Sequence, residues 1–154
     1  MSFRSMTIIA AAALMAGIVG LTAVAFAEGD DPIKSRREHM KGNGQVAKAL
    51  SAMLDGSAPF DAAKAAEGTK SIAGVAHDFA TEFDEYFPAG SDAGDTKASP
   101  DIWKNKDDFV KLASSLETDA TAASAAATSL DAFKGPAGKM FGNCKACHEK
   151  YKLK

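Results

Sequence analysis

Apolar residues recur along most of this chain at steps of three, four and seven, the spacing that places side chains on one face of an α-helix. Four segments show this pattern, and no alternating or β-branched run predicts a strand. We expect helices over about 32–54, from about 61 to 86 or 87, from 99 into an Ala/Ser/Thr-rich stretch at 120–128, and over about 130–151. Four helices with short connections predict an all-α fold, an antiparallel up-down-up-down four-helix bundle.

Proline and capping residues set the expected helix ends. Pro32 suits the first turn of the first helix, and Ser99-Pro100 suits the start of the third. Pro88 prevents the second helix from continuing and begins the longest loop, which is rich in Gly, Asp and Ser. Gly135-Pro136 should kink the fourth helix or mark a restart, because proline removes one backbone hydrogen bond.

The N-terminal 27 residues have the pattern of an export signal. Arg4 is followed by an almost wholly apolar stretch over 7–24, and Ala25-Phe26-Ala27 matches the small-x-small site of signal peptidase. We therefore expect residues 1–27 to be a cleaved secretory signal peptide and residues 28–154 to be a mature, exported domain that does not span a membrane. An uncleaved membrane anchor is the alternative, because the apolar run approaches the length of a membrane span.

The charge distribution bears on possible partners. The segment 28–154 holds 17 Lys and Arg against 20 Asp and Glu, a net charge of −3 that gives no basic excess for binding nucleic acid. Between Lys134 and Lys154, however, six lysines stand against one acid, Glu149, whereas 28–133 holds 11 basic and 19 acidic residues. This C-terminal excess is typical of a solvated helix face, and it also suits a surface that attracts an acidic partner.

A short motif in the fourth helix predicts the cofactor. Cys144-Lys145-Ala146-Cys147-His148 is the attachment motif of a c-type haem. The two thiols add to two vinyl groups of one porphyrin, and residues three and four apart share one face of a helix. Cys144 and Cys147 can therefore hold one covalent haem c, with His148 as an axial ligand of its iron.

Two other uses of a cysteine pair fit this sequence less well. A thioredoxin-like redox pair requires a βαβ context, which the helical pattern does not provide. A zinc site requires four ligands, and the sequence has only two cysteines.

The chain resembles the class II c-type cytochromes, the family of cytochrome c′ and cytochrome c556. The resemblance covers the whole of 28–154 and includes the C-terminal position of the haem motif, Ser99-Pro100-Asp101-Ile102-Trp103, and Ala58-Pro59-Phe60-Asp61. It implies a four-helix bundle with one covalent haem c and its iron, occurring as a monomer or a homodimer. The export signal predicts that this protein is located in the periplasm. Lys152 stands where the family often has Arg, so this position keeps the positive charge but not a bidentate contact to a haem propionate.

Position 40 separates two branches of this family. Cytochromes c′ place an apolar residue, often Leu, over the open face of the haem, whereas c556-like members place Met there, four residues after an Arg. Arg36 and Met40 stand in this relation, so the resemblance implies Met40 as the second axial iron ligand and Arg36 or Arg37 as a propionate contact. Ordinary core packing is the alternative role for Met40, which lies on the apolar stripe of the first helix.

The remaining His and Met residues are weaker candidates for that ligand. His39 points about 100° away from Met40 around the helix. His77 lies between apolar residues of the second helix, Met53 lies near the end of the first, and Met140 shares a helix with His148.

The expected function follows from the ligand set. With His148 and Met40 bound, the iron has no vacant position and a raised reduction potential, which suits one-electron exchange with soluble or membrane redox proteins. Nothing in the sequence resembles a substrate pocket with a positioned general base, so we do not expect an enzyme. If Met40 is not a ligand, the resemblance implies a five-coordinate protein, like cytochrome c′, that binds nitric oxide or carbon monoxide.

Overall fold

The computed structural model describes residues 31–154, and the predicted signal peptide lies outside the described residues. Its helices are α1 (Pro32–Leu54), α2 (Ala62–Thr81), α3 (Phe83–Tyr86), α4 (Asp101–Lys104), α5 (Lys106–Ala126) and α6 (Leu130–Tyr151). The only β-type pairing within 31–154 is one isolated bridge between Ala98 and Lys152. The predicted all-α class is confirmed.

The predicted bounds of the first helix are confirmed, and its start has a local cause. The Asp31 side chain accepts a hydrogen bond from the Ile33 amide at 3.0 Å, and Pro32 occupies the first turn. The same kind of cap begins α2, where Asp61 accepts from the Lys64 amide at 3.0 Å. Such caps satisfy amides that have no partner within the helix.

The second and third predicted helices are each divided. Glu82 (φ −112°, ψ 36°) separates α2 from α3, and Asn105 (φ −127°, ψ 45°) separates α4 from α5. Both residues leave helical geometry although no proline or glycine marks them, so the hydrophobic period alone did not predict the breaks. The short helices α3 and α4 redirect the chain on either side of the long loop.

The fourth helix continues through Pro136, which excludes a restart and leaves a kink as the remaining predicted effect of Gly135-Pro136. Ser129 caps α6 by accepting from the Ala132 amide at 3.2 Å, and the helix is unbroken from Leu130 to Tyr151. Proline at this position costs one hydrogen bond in the second turn. Burial of Phe133 and Ala137 on either side holds the helix together across that gap.

The core consists of two clusters at opposite ends of the helices. One joins α1, α2, α5 and α6 around Leu50, Ile72, Phe133 and Met140. The other is largely aromatic and joins α2 to α6 through rings that contact one another edge to face, among them Phe79, Phe83, Phe87, Phe109 and Tyr151. Packing is most extensive between α2 and α5 and between α5 and α6, whereas α1 contacts α6 only sparsely.

Within residues 31–154, no helix combines the length and the hydropathy that a membrane crossing requires.

Candidate haem site

The residues of the haem motif lie in the last two turns of α6. Cys144 and Cys147 are half-buried free thiols, and His148 is exposed. Cys147 packs against the aromatic cluster, whose member Tyr151 is one turn further along the helix. The buried side of α6 therefore fixes the rotation of this segment and presents the two thiols and the imidazole along one edge of the bundle.

Burial controls the protonation of these groups. It raises the pKa of Cys144, and it raises the pKa of Cys147 to about 11, with smaller contributions from Cys144 and Asp108. Although His148 reaches the surface, desolvation of the part of its imidazole next to the protein lowers its pKa, and the charge of Lys152 adds to that effect. These shifts favour the neutral forms of both thiols and of the imidazole, and neutral imidazole is the form that binds a metal.

Met40 is the one methionine of 31–154 that is not packed inside the protein. Its side chain is 39 % exposed, whereas Met53 is 6 % and Met140 is 0 % exposed, both within the first core cluster. The apolar stripe predicted for α1 is thus incompletely covered by protein around Met40. An apolar side chain in this position is available to a large apolar group bound beside α1.

The two other histidines each contact residues outside α6. The ring of His39 lies edge-on to Tyr86 and Phe79, with centroids 5.4 Å and 6.0 Å away. His77 lies on the surface, with Nδ1 3.0 Å from a carboxylate oxygen of Glu117.

Arg36 is buried, a feature that the sequence analysis did not predict. Its side chain is 5 % exposed and donates to the Tyr86 carbonyl at 2.6 Å and to the Ser91 carbonyl and hydroxyl at 2.6 and 2.8 Å. The guanidinium also lies over the rings of Phe87 and Trp103, 4.9 and 5.8 Å from their centroids. Arg36 thereby ties α1 to the loop that follows α3.

A signal for this arrangement exists in the sequence. Arg36 is one turn before Met40 and three residues after Ile33, on the apolar side of α1, where a charged group must find partners. Those partners are mostly backbone carbonyls of a loop distant in sequence, which no periodicity can identify.

One group of Arg36 is left unpaired. Its Nε is buried and has no hydrogen-bond partner within residues 31–154. A buried donor of this kind is costly unless an acceptor reaches it, and a carboxylate is the acceptor that suits a guanidinium best. Arg37, the alternative predicted propionate contact, is exposed and pairs with Asp95 in the same loop.

These observations test whether the described residues fit a haem. The two half-buried thiols match its vinyl groups, and the neutral imidazole matches its iron. The uncovered Met40 matches the apolar ring, and the unpaired guanidinium N–H of Arg36 matches a propionate. A zinc site has no comparable support, since no group of three or more His, Cys, Asp or Glu within 31–154 could hold a metal ion.

A helical bundle with Cys-x-x-Cys-His in its last helix defines a c-type cytochrome of the helical-bundle class. Residues 31–152 match the sequence model of the family Cytochrome C′. The chain is 36 % identical to a cytochrome c′ of Rhodopseudomonas palustris over 143 residues, which cover 92 % of this chain and 95 % of the relative. It is 39 % identical to a cytochrome c-556 of Agrobacterium fabrum over 146 residues, 93 % of each chain.

The solved structure of the Rhodopseudomonas palustris cytochrome c′ has the same fold, with a TM-score of 0.72 and 36 % identity over 80 % of this chain and 97 % of that one. The chain therefore belongs to the cytochrome c′ family. This membership confirms the predicted class II resemblance, the four-helix bundle and the covalent haem c cofactor with its iron.

Proposed function

We propose that this protein is a periplasmic one-electron carrier in which Cys144 and Cys147 attach the haem, and His148 and Met40 are the axial ligands of its iron. The bound haem supplies an iron that changes between its ferric and ferrous states, and Met/His ligation raises its reduction potential. The protein contributes the two thiols that attach the haem and the two axial ligands of its iron. Residues 1–27, as the proposed export signal, direct the carrier to the periplasm.

The position of Met40 is the observation that carries this proposal. Met53 and Met140 fill the core, whereas Met40 remains uncovered on the helix that packs only sparsely against α6. The thioether of Met40 lies on the apolar stripe of α1, and its side chain is 39 % exposed. Packing alone favours burial of methionine.

Arg36 has a double role in the proposed site. Three of its hydrogen bonds hold the end of α3 and the loop after it, and its free Nε–H is the donor that we assign to a haem propionate. Burial lowers the pKa of Arg36, but a guanidinium stays charged at every physiological pH. A fixed positive charge there offsets the propionate and stabilises its ionised form.

A second candidate function rests on the relatives. One has the name cytochrome c′ and another cytochrome c-556, at comparable identity and coverage. If Met40 does not bind the iron, the site is five-coordinate with an apolar distal side, which suits binding of nitric oxide or carbon monoxide.

Absorption spectroscopy of the purified, reduced haem protein separates the two functions. We expect a low-spin spectrum with a sharp α band, and no change on addition of carbon monoxide within seconds. A broad high-spin spectrum that responds at once to carbon monoxide would reject the electron-carrier proposal and establish the gas-binding alternative.

A further inference from the structure

The loop that joins α3 to α4, over 87–100, is attached to the end of α6. The Ser99 amide donates to the Tyr151 carbonyl at 2.9 Å. The Leu153 amide donates to the Lys97 carbonyl at 2.8 Å. Tyr151 is the last residue of α6 and is 3 % exposed, so the loop is tied to a buried end of the helix that carries the haem motif.

Near its start, the same loop holds Arg36 of α1, chiefly through Ser91. The Ser91 carbonyl accepts from Nη2 of Arg36 at 2.6 Å, and the Ser91 hydroxyl oxygen accepts from Nη1 at 2.8 Å. The hydroxyl donates its only proton to the Pro88 carbonyl at 2.8 Å, which leaves its lone pairs for the guanidinium. Ser91 is 7 % exposed and follows Gly90, whose φ of +84° is open to glycine without steric cost. The loop itself therefore sets the position of both acceptors.

These two acceptors fix the orientation of the guanidinium. The group is planar, so hydrogen bonds to Nη1 and Nη2 set the rotation of its plane and, with it, the direction of the Nε–H bond. Because the loop is tied to Tyr151 at its other end, Ser91 relates that bond to α6 through one short segment.

We propose that Ser91 is a positioning residue of the haem site, which aims the Nε–H of Arg36 at a propionate of the haem held by α6. The inference rests on the propionate contact of the proposed function and is independent of ligation by Met40. A positive N–H group held against the propionate offsets its negative charge, which favours ferrous iron over the more positive ferric iron. Loosening of Arg36 should therefore lower the reduction potential.

The test compares two buried serines of this loop in haem-loaded protein. Ser99 is also 7 % exposed, but its hydroxyl accepts from the Asp101 amide at 3.2 Å. At a fixed ambient potential, Ser91→Ala should lower the ratio of ferrous to ferric protein about two- to five-fold, a fraction of the free energy of one charged hydrogen bond. Ser99→Ala should leave this ratio unchanged, although both substitutions remove a buried hydroxyl and should lower the urea midpoint.

Resonance Raman spectra follow the propionate itself, because its bending band depends on hydrogen bonding. The band should shift in Ser91→Ala and not in Ser99→Ala. Arg36→Lys keeps the charge but places a methylene where Arg36 has its Nε–H, so it should shift the band, and adding Ser91→Ala should have no further effect.

Each result has a distinct meaning. If Arg36→Lys shifts the band but Ser91→Ala leaves either readout unchanged, the positioning role of Ser91 is wrong while the Arg36 contact stands. Equal effects of Ser91→Ala and Ser99→Ala would mean a general loosening of the loop and would also overturn that role. If Arg36→Lys leaves the band at its wild-type position, the proposed propionate contact itself fails, and this inference is rejected with it.

Discussion

At the scale of single residues, the chemistry of this protein depends on a few side chains whose surroundings differ sharply. Met40 and Met140 have the same side chain, yet one is 39 % exposed and the other fully buried. Arg36 and Arg37 are adjacent, yet one is buried among carbonyls and rings and the other pairs on the surface. Position in the fold, rather than residue type, decides which member of each pair is buried.

Met40→Leu tests the proposed axial ligand. We expect a five-coordinate, high-spin iron that binds carbon monoxide rapidly, and a lower reduction potential because the thioether favours the ferrous state. Loss of packing should cost less than about 1.5 kcal/mol, since the two side chains have similar volumes. Absorption spectra and redox titration measure the effect, with Met53→Leu as the matched control in α1. A low-spin spectrum unchanged by Met40→Leu would mean that another group binds the iron.

Cys144→Ala with Cys147→Ala tests covalent attachment. The double variant should hold no haem after acid–acetone extraction, because the thioether bonds are absent. It should also be destabilised, since the bundle would lose its largest apolar group. Haem staining after denaturing electrophoresis measures attachment, and staining that persists in the variant would contradict the assignment of these two thiols.

At the scale of helices, two contacts determine how the elements are held. Gly68 lets α1 and α2 approach each other, because a Cβ there would lie 2.8 Å from Cγ1 of Val46. Asp108 links α5 to α6 by accepting from the Tyr151 hydroxyl at 2.6 Å and from Lys150 at 2.7 Å. Both contacts join residues that are far apart in sequence.

Gly68→Ala should therefore destabilise the protein. Overpacking of this kind costs about 1–3 kcal/mol, and adding Val46→Ala should recover part of the loss because it removes the clashing methyl. Gly74→Ala, in the same helix but with open space around it, should instead stabilise by about 0.5–1 kcal/mol. Urea unfolding of the four proteins measures these differences, and equal effects of the two glycine substitutions would contradict the close approach.

The bond to Asp108 predicts a pH dependence of stability. Hydrogen bonds from Lys150 and Tyr151 lower the pKa of Asp108, so the folded state favours the carboxylate. The stabilisation is therefore present above the unfolded-state pKa of about 3.9 and is lost as pH falls through the lower folded-state value. Asp108→Asn should reduce the loss of unfolding free energy between pH 6 and pH 3, whereas Asp107→Asn, next to it on α5, should not. Identical pH profiles for the wild type and Asp108→Asn would refute this linkage.

At the scale of the whole molecule, charge is distributed unevenly around α6, the helix that carries the haem motif. The six lysines between Lys134 and Lys154 are partly compensated, since Lys134 pairs with Asp131, Lys145 with Glu149 and Lys150 with Asp108. Within the described part of the chain, Lys139, Lys152 and Lys154 form no ion pair. The predicted basic surface is therefore weaker than the sequence count of +5 suggests, but its sign is unchanged.

We expect this surface to favour an acidic redox partner. Electron exchange with an acidic small redox protein should slow as ionic strength rises, because salt screens attraction beyond about 8–10 Å. Lys152→Glu should lower the rate at low salt more than Lys70→Glu, an exposed lysine of α2 with the same charge change. Stopped-flow rates against salt measure both effects. A rate that rises with salt would show that the acidic remainder of the surface governs docking.

The sequence by itself determined the features that depend on one helix at a time. Caps, prolines and apolar spacing predict α1 and the all-α class, and the motif Cys144 to His148 lies within a single turn, so its chemistry needs no other element. The whole-chain resemblance added the bundle and the cofactor, both confirmed by family membership. Met40 as a ligand remains a prediction.

Only the tertiary structure decided features that depend on neighbours distant in the chain. The breaks at Glu82 and Asn105 carry no proline or glycine, and the burial of Arg36 depends on carbonyls about 50 residues away. Pro136 stays inside α6 because residues on both sides of it are buried against other helices. Local patterns encode periodicity and caps, whereas burial and hydrogen bonding between elements follow from packing that a single sequence does not specify.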